Sequence, residues 1–186
     1  MNAKTKVLTQ IALITAVICI LGPLTLPIGP VPISLAPLAI FLGVYILGCV
    51  KGTVAVLLYL LIGLIGVPVF SNFSGGAGKL FGPTGGYLIG YIFTALVAGF
   101  IVERFYRNVI LQALGMILGL AILYLVGTVW LANQAGMTLS AAAAAGVWPF
   151  VILDLLKIAA AILLGRAVRA GLIRAGLIET NRTQAA

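Results

Sequence analysis

"VILQALGMILGLAILYLVGTVWL", Val109 to Leu131, contains no charged side chain, and none occurs anywhere from Asn108 to Leu153. A helix crossing a hydrocarbon core of roughly 30 Å needs about 20 apolar residues, so this stretch reads as one complete membrane span. The other charge-free stretches are Val7–Val50, Gly52–Gly78 and Leu80–Val102. The first is too long for one helix and breaks at "LGPLTLPIGPVPISLAP", where five prolines fall from Pro23 to Pro37. Proline removes a backbone donor and cannot continue a helix. The long stretch after Arg107 turns again at "ANQAGMTLS", Ala132 to Ser140. The prediction is an all-α integral membrane protein, a single membrane domain over residues 1–186. Its six helices cover about Val7–Leu21, Ser34–Val50, Gly52–Val67, Gly85–Val102, Val109–Leu131 and Ala144–Arg169, with a tight turn at "GCVKG".

Composition requires lipid as the solvent. Of 186 residues, 63% are hydrophobic and 8% charged, with a mean hydropathy of +1.27. A soluble domain carries about 25% charged residues. The net charge is +8, with eleven Lys or Arg against Glu103, Asp154 and Glu179. Nucleic-acid binders cluster basic groups on a soluble face, whereas here they flank apolar runs, so no nucleic-acid partner is expected. Six spans put both termini on one side. With the N-terminus inside, Lys4, Lys6, Lys51, Arg104, Arg107, Arg166, Arg169, Arg174 and Arg182 are all cytoplasmic, and only Lys79 lies outside. This positive-inside bias fixes an N-in, C-in orientation. The basic, apolar N-terminus reads as a retained first helix, because further spans follow at once. Cys19 and Cys49 read as packing residues; without histidine or a close Cys pair, a metal site has no support.

The third and fourth helices are joined by a long outward loop that runs into "FSGGAGKLFGPTGGYLIGY", Phe73 to Tyr91. A phosphate-binding loop needs Gly-Lys-Ser/Thr after a strand, but Gly78-Lys79 is followed by Leu80, no strand precedes it, and it faces outward. Acid–base chemistry is poorly served by Glu103 and Asp154 at different depths, and a His-activated nucleophile is excluded. A Ser–Lys arrangement with Lys157 or Lys79 stays open, but no serine stands out; the protein reads as a non-enzyme. Binding remains. Glycines let main-chain groups approach a ligand closely, and Phe70, Phe73, Leu80 and Phe81 would be poorly placed in water. The segment Val67–Pro83 is therefore expected to fold into the bundle mouth as a lid.

"FVILDLLKIAAA" sets Asp154 and Lys157 inside the last helix. Three residues apart, they share a face, separated by about 4.5 Å along the axis. Ionisable groups facing lipid are costly, so both should point inward. They serve either as an ion pair that pins helices or as part of a pocket level with the glycine loop. Ala12 and Ala16, spaced for close helix approach, read by themselves as ordinary internal packing.

"GPTGGYLIGY", Gly82 to Tyr91, with "GVPVF", Gly66 to Phe70, resembles the signature of the BioY family, the biotin-specific S components of energy-coupling factor (ECF) transporters. "GPVPISLA", Gly29 to Ala36, is similar to the family's first-loop motif, and Asp154 and Lys157 match its acidic–basic pair. Ser34 and Ala36 replace the usual Thr and Gln, which gives the first loop little weight in ligand recognition. The resemblance implies high-affinity biotin capture as part of an ECF-type transporter in a prokaryotic cell membrane, with biotin as cargo and no cofactor. It implies substrate contacts at Asp154, Lys157, Tyr87, Gly85, Gly86, Thr84, Asn72 and Lys79. It also implies docking of a transmembrane coupling (T) subunit at Ala12 and Ala16, with two cytoplasmic ATPase subunits. Alternatives are an S component or stand-alone carrier for another small vitamin, an intramembrane enzyme using Lys157, and a structural membrane partner.

Overall fold

The computed structural model describes residues 3–26 and 31–178. Gly29 and Pro30 of the first-loop motif, together with Glu179 and Arg182, lie outside the described residues. Helix α1, Ala3–Leu21, stops before Gly22-Pro23. The chain then forms a short hairpin in which β1, Thr25–Leu26, pairs antiparallel with β2, Ile33–Ser34. Helix α2, Ala36–Leu47, takes Pro37 in its first turn, where a missing N–H removes no helical hydrogen bond.

The second and third predicted spans meet earlier than expected. Gly48 adopts φ 84 and reverses the chain, so that α3, Cys49–Leu64, begins at once and carries Lys51 within it. That backbone conformation suits glycine. A carboxylate then secures the new helix start: the Cys49 N–H donates to Glu103 Oε2 at 2.8 Å, a favourable place for negative charge.

After a loop that contains the four-residue α4, Ala77–Leu80, helix α5 spans Gly85–Arg104 and α6 spans Val109–Ala135. The Asn108 side chain caps α6 by accepting from the N–H groups of Ile110 and Leu111 at 3.0 and 3.2 Å. Gly136, at φ 61, ends α6, four residues beyond the predicted boundary.

The predicted last helix, Ala144–Arg169, is corrected most. Two helices replace it, α7 over Leu139–Gly146 and α8 over Val151–Arg174, bent by 48°. The run of five alanines at residues 141–145 belongs to α7, which Thr138 caps by accepting the Ala141 N–H at 3.3 Å. Pro149 explains the break, because it has no N–H for a carbonyl four residues earlier and its ring crowds that turn.

The six predicted spans thus correspond to α1, α2, α3, α5, α6 and α8. Helices α1, α5 and α6 are long and apolar enough to cross a bilayer, and the bent α7–α8 pair passes together; α2 and α3 are shorter apolar helices. Helix α2 packs against α1, α3, α5 and α8. Its Ala39, Ile40, Phe41, Val44 and Tyr45 are at most 1% exposed, as expected of a helix apolar all round.

One end of the bundle gathers the start of α1, the end of α8 and the α2–α3 and α5–α6 turns. Lys6 and Gln10 of α1 donate to the carbonyls of Gly176 and Leu177. Arg169 of α8, only 3% exposed, donates to the Tyr45 carbonyl at 2.9 Å and lies 4.5 Å from the Tyr106 ring centroid. Gln112 of α6 accepts from the Tyr45 hydroxyl at 2.8 Å. This end carries Lys4, Lys6, Lys51, Arg104, Arg107, Arg166, Arg169 and Arg174 among the described residues. The hairpin, Lys79 and the α6–α7 turn occupy the other end, so the charge asymmetry of the sequence is also an asymmetry in space.

Candidate ligand-binding site

Beneath the hairpin end lies a cavity whose floor is the Asp154–Lys157 pair of α8. The residues are 3% and 9% exposed, and Lys157 Nζ lies 2.6 Å from Asp154 Oδ1. Neither relies on the other alone. Lys157 also donates to the Ser34 carbonyl at 2.7 Å, and the Tyr124 hydroxyl donates to Asp154 Oδ2 at 2.6 Å. Opposite charges with additional hydrogen bonds are the form in which ionised groups tolerate burial. The ion pair is therefore both a link between helices and part of a cavity wall.

The walls come from several elements. Val31, Pro32, Ser34 and Pro37 face the cavity from the hairpin and the start of α2, and Tyr59 from α3. Thr84, Tyr87, Leu88 and Tyr91 line it at the start of α5, with Leu123 and Tyr124 on α6. Gly146 and Phe150, on either side of the α7–α8 break, complete it.

Tyr87 sits in a slot that two glycines make possible. A Cβ on Gly127 would lie 2.3 Å from its ring, and one on Gly146 1.9 Å from its hydroxyl oxygen. The Tyr87 hydroxyl donates to the Gly146 carbonyl at 3.3 Å. Tyr59 is held by an edge-on contact with Phe70, ring centroids 5.5 Å apart, and Phe70 is fully buried. Phe70 thus anchors the glycine-rich loop in the bundle mouth. Ser71 follows it into the cavity wall. Leu80 is partly buried against the core, whereas Phe73 and Phe81 are 65% and 59% exposed, so only part of the loop folds inward as expected.

Of the residues singled out in the sequence, Thr84, Tyr87, Asp154 and Lys157 border the cavity, while Gly85, Gly86, Asn72 and Lys79 do not. A Cβ on Gly85 would lie 1.8 Å from the Leu80 carbonyl oxygen, and one on Gly86 2.2 Å from Trp130 Cβ. These glycines let the loop and α6 approach α5, and Trp130 Nε1 donates to the Gly82 carbonyl at 2.9 Å. Asn72, at φ 58, fastens the loop to the hairpin: its N–H donates to Thr25 Oγ1 at 3.2 Å, and its Oδ1 accepts from the same hydroxyl. Lys79 stands on α4, partly buried, and burial pushes the pKa of its ammonium group down. Ala12 and Ala16 are exposed on α1 rather than packed inside the bundle.

Several wall residues escaped the sequence reading. Tyr91 lies four residues after Tyr87, on the same helix face, and was legible. Tyr59, Tyr124 and Phe150 depend on which helices become neighbours. The first loop, given little weight for its missing Gln, contributes through the Ser34 main chain, which substitution of that Gln does not touch.

Known proteins resemble this chain in sequence and fold. The family model described as the BioY family matches residues 1–174. A Thermotoga maritima protein named biotin transporter BioY is 41% identical over 84% of this chain and 92% of its own length. Biotin transporter BioY2 of Lactococcus lactis is 36% identical over 97% of each chain. The crystal structure of an S-component for biotin from an ECF-type ABC transporter superposes with a TM-score of 0.84 and 33% identity, covering 91% of this chain and 95% of that one. With the family model matched over residues 1–174 and 36% identity to one relative over 97% of each chain, the chain belongs to the BioY family.

Proposed function

We propose that this membrane protein captures biotin in the cavity above Asp154 and Lys157 and serves as the substrate-binding S component of an ECF-type transporter. The observation that carries the reading is the buried Asp154–Lys157 ion pair, with hydrogen-bonding capacity to spare, at the floor of a cavity walled by tyrosines. A ureido group offers two N–H donors and one carbonyl acceptor. Asp154 retains acceptor capacity beyond its bonds to Lys157 and Tyr124, and Lys157 has a third N–H beyond those given to Asp154 and Ser34. The tyrosine rings suit the compact bicyclic ring, and the Asn72–Thr25 contact holds the loop over it. Relatives bearing the name biotin transporter support the same cargo.

Transport requires energy from elsewhere, supplied in this reading by a T subunit in the membrane and two cytoplasmic ATPase subunits. The basic end of the bundle then faces the cytoplasm of a prokaryotic cell. Titration of the purified protein with labelled biotin tests the reading. Saturable binding, displaced by unlabelled biotin and not by other small vitamins, is expected; absence of binding by folded protein, or equal displacement by another vitamin, overturns it.

A further inference from the structure

We infer that Tyr124 is a positioning residue for the ligand, acting through Asp154, an inference that rests on the assignment of the cavity as the biotin site. Asp154 and Lys157 belong to one helix, and Lys157 engages a single carboxylate oxygen, Oδ1, at 2.6 Å. One such bond leaves the carboxylate plane weakly fixed, because its terminal torsion is broad and roughly two-fold. The Tyr124 hydroxyl reaches across from α6 to the second oxygen, Oδ2, at 2.6 Å. With one donor on each oxygen, from two different helices, the plane is set, and each oxygen keeps a lone pair for a further donor.

The consequence is preorganisation. Tyr124 is itself part of the cavity wall, so the donor that orients the carboxylate is held by the packing of α6 against α5. Lys157 is held similarly, by Asp154 and by the Ser34 carbonyl. Acceptors from Asp154 and the remaining donor from Lys157 are then fixed before the ligand arrives, which lowers the ordering cost of binding. A phenylalanine at 124 keeps the ring in the wall and removes only the orienting bond. The step is one of orientation: the hydroxyl need not touch the ligand.

The chain offers a selective probe, since Asp154 is its only aspartate. Isotope labelling of the aspartate carboxyl carbon therefore yields one magnetic-resonance signal from the protein. In the ligand-free protein, Tyr124→Phe is expected to shift that signal, and biotin affinity should fall roughly tenfold, as for loss of a hydrogen bond to a charged group. In an Asp154→Ala background, where no side-chain oxygen remains at 154 for the hydroxyl to orient, the same substitution should change affinity less than about twofold. An unmoved signal, wild-type affinity in Tyr124→Phe, or the same loss in both backgrounds overturns the inference. Wild-type affinity in Asp154→Ala alone overturns instead the site assignment on which it rests.

Discussion

Asp154 takes part in two hydrogen-bonded contacts and its position in the membrane leaves it few alternatives. Asp154→Asn keeps the side-chain shape but removes the counter-charge of Lys157 and an acceptor for Tyr124. Breaking a buried pair from one side costs about 3–5 kcal/mol of stability. Biotin affinity should fall by at least tenfold, about 1.4 kcal/mol, in protein that still inserts and folds. Fluorescence or calorimetric titration checks this; undiminished affinity would move the site elsewhere. Asn72 belongs to a different class of contact. It sits outside the cavity wall and bonds Thr25, so its contribution in the free protein is to hold the loop against the hairpin. The following residue, Phe73, also has positive φ, 54, a conformation that non-glycine residues adopt at some cost.

Helix α5 shows how glycine converts into a site without touching ligand. Gly86 allows α6 to approach until Trp130 occupies the space of a missing Cβ, and the next residue is Tyr87 of the wall. Gly86→Val forces the two helices apart, with an expected loss of about 1–3 kcal/mol or more from overpacking and loss of biotin binding as Tyr87 shifts. Gly78 provides the contrast, since a Cβ there meets nothing within 4 Å. Gly78→Ala should leave stability within about 0.5 kcal/mol. Melting curves of the two variants distinguish the cases, and equal tolerance at both positions would refute the packing account. The α7–α8 break belongs at this level as well. Pro149 makes it, and the two sides of the break supply Gly146 and Phe150 to one cavity.

The bundle separates its polar work into two ends joined by α8, which runs from Asp154 and Lys157 to Arg169. The outward surface of α1 bears Ala12 and Ala16 exposed, among the exposed Leu8, Leu13 and Ile20. Small side chains on an exposed face admit close approach by another helix, and neither alanine borders the cavity. Ala16→Trp is therefore expected to leave biotin binding by the isolated protein unchanged. Co-purification with the T subunit and biotin uptake should fall together. Normal assembly and uptake would show that the face does not dock, whereas lost binding would join α1 to the pocket.

Much of this architecture follows from one-dimensional constraints. Hydrocarbon thickness turns charge-free stretches into spans, and the high cost of buried ionisable groups marked Asp154 and Lys157 as inward-facing before any neighbour was known. Charge asymmetry assigned the two ends. Local chemistry also contained the signal of Pro149, although a helix drawn through it missed the break. The remaining wall could not be read in this way. Whether Tyr124 reaches Asp154, whether Tyr59 meets Phe70, and whether the Ser34 carbonyl meets Lys157 depend on helix adjacency and close approach. Those are pairwise properties of packed surfaces, absent from any single segment. The glycine motif illustrates the division: its need for close backbone contact was legible, but only packing determined that Gly85 and Gly86 meet Leu80 and Trp130 rather than the cavity.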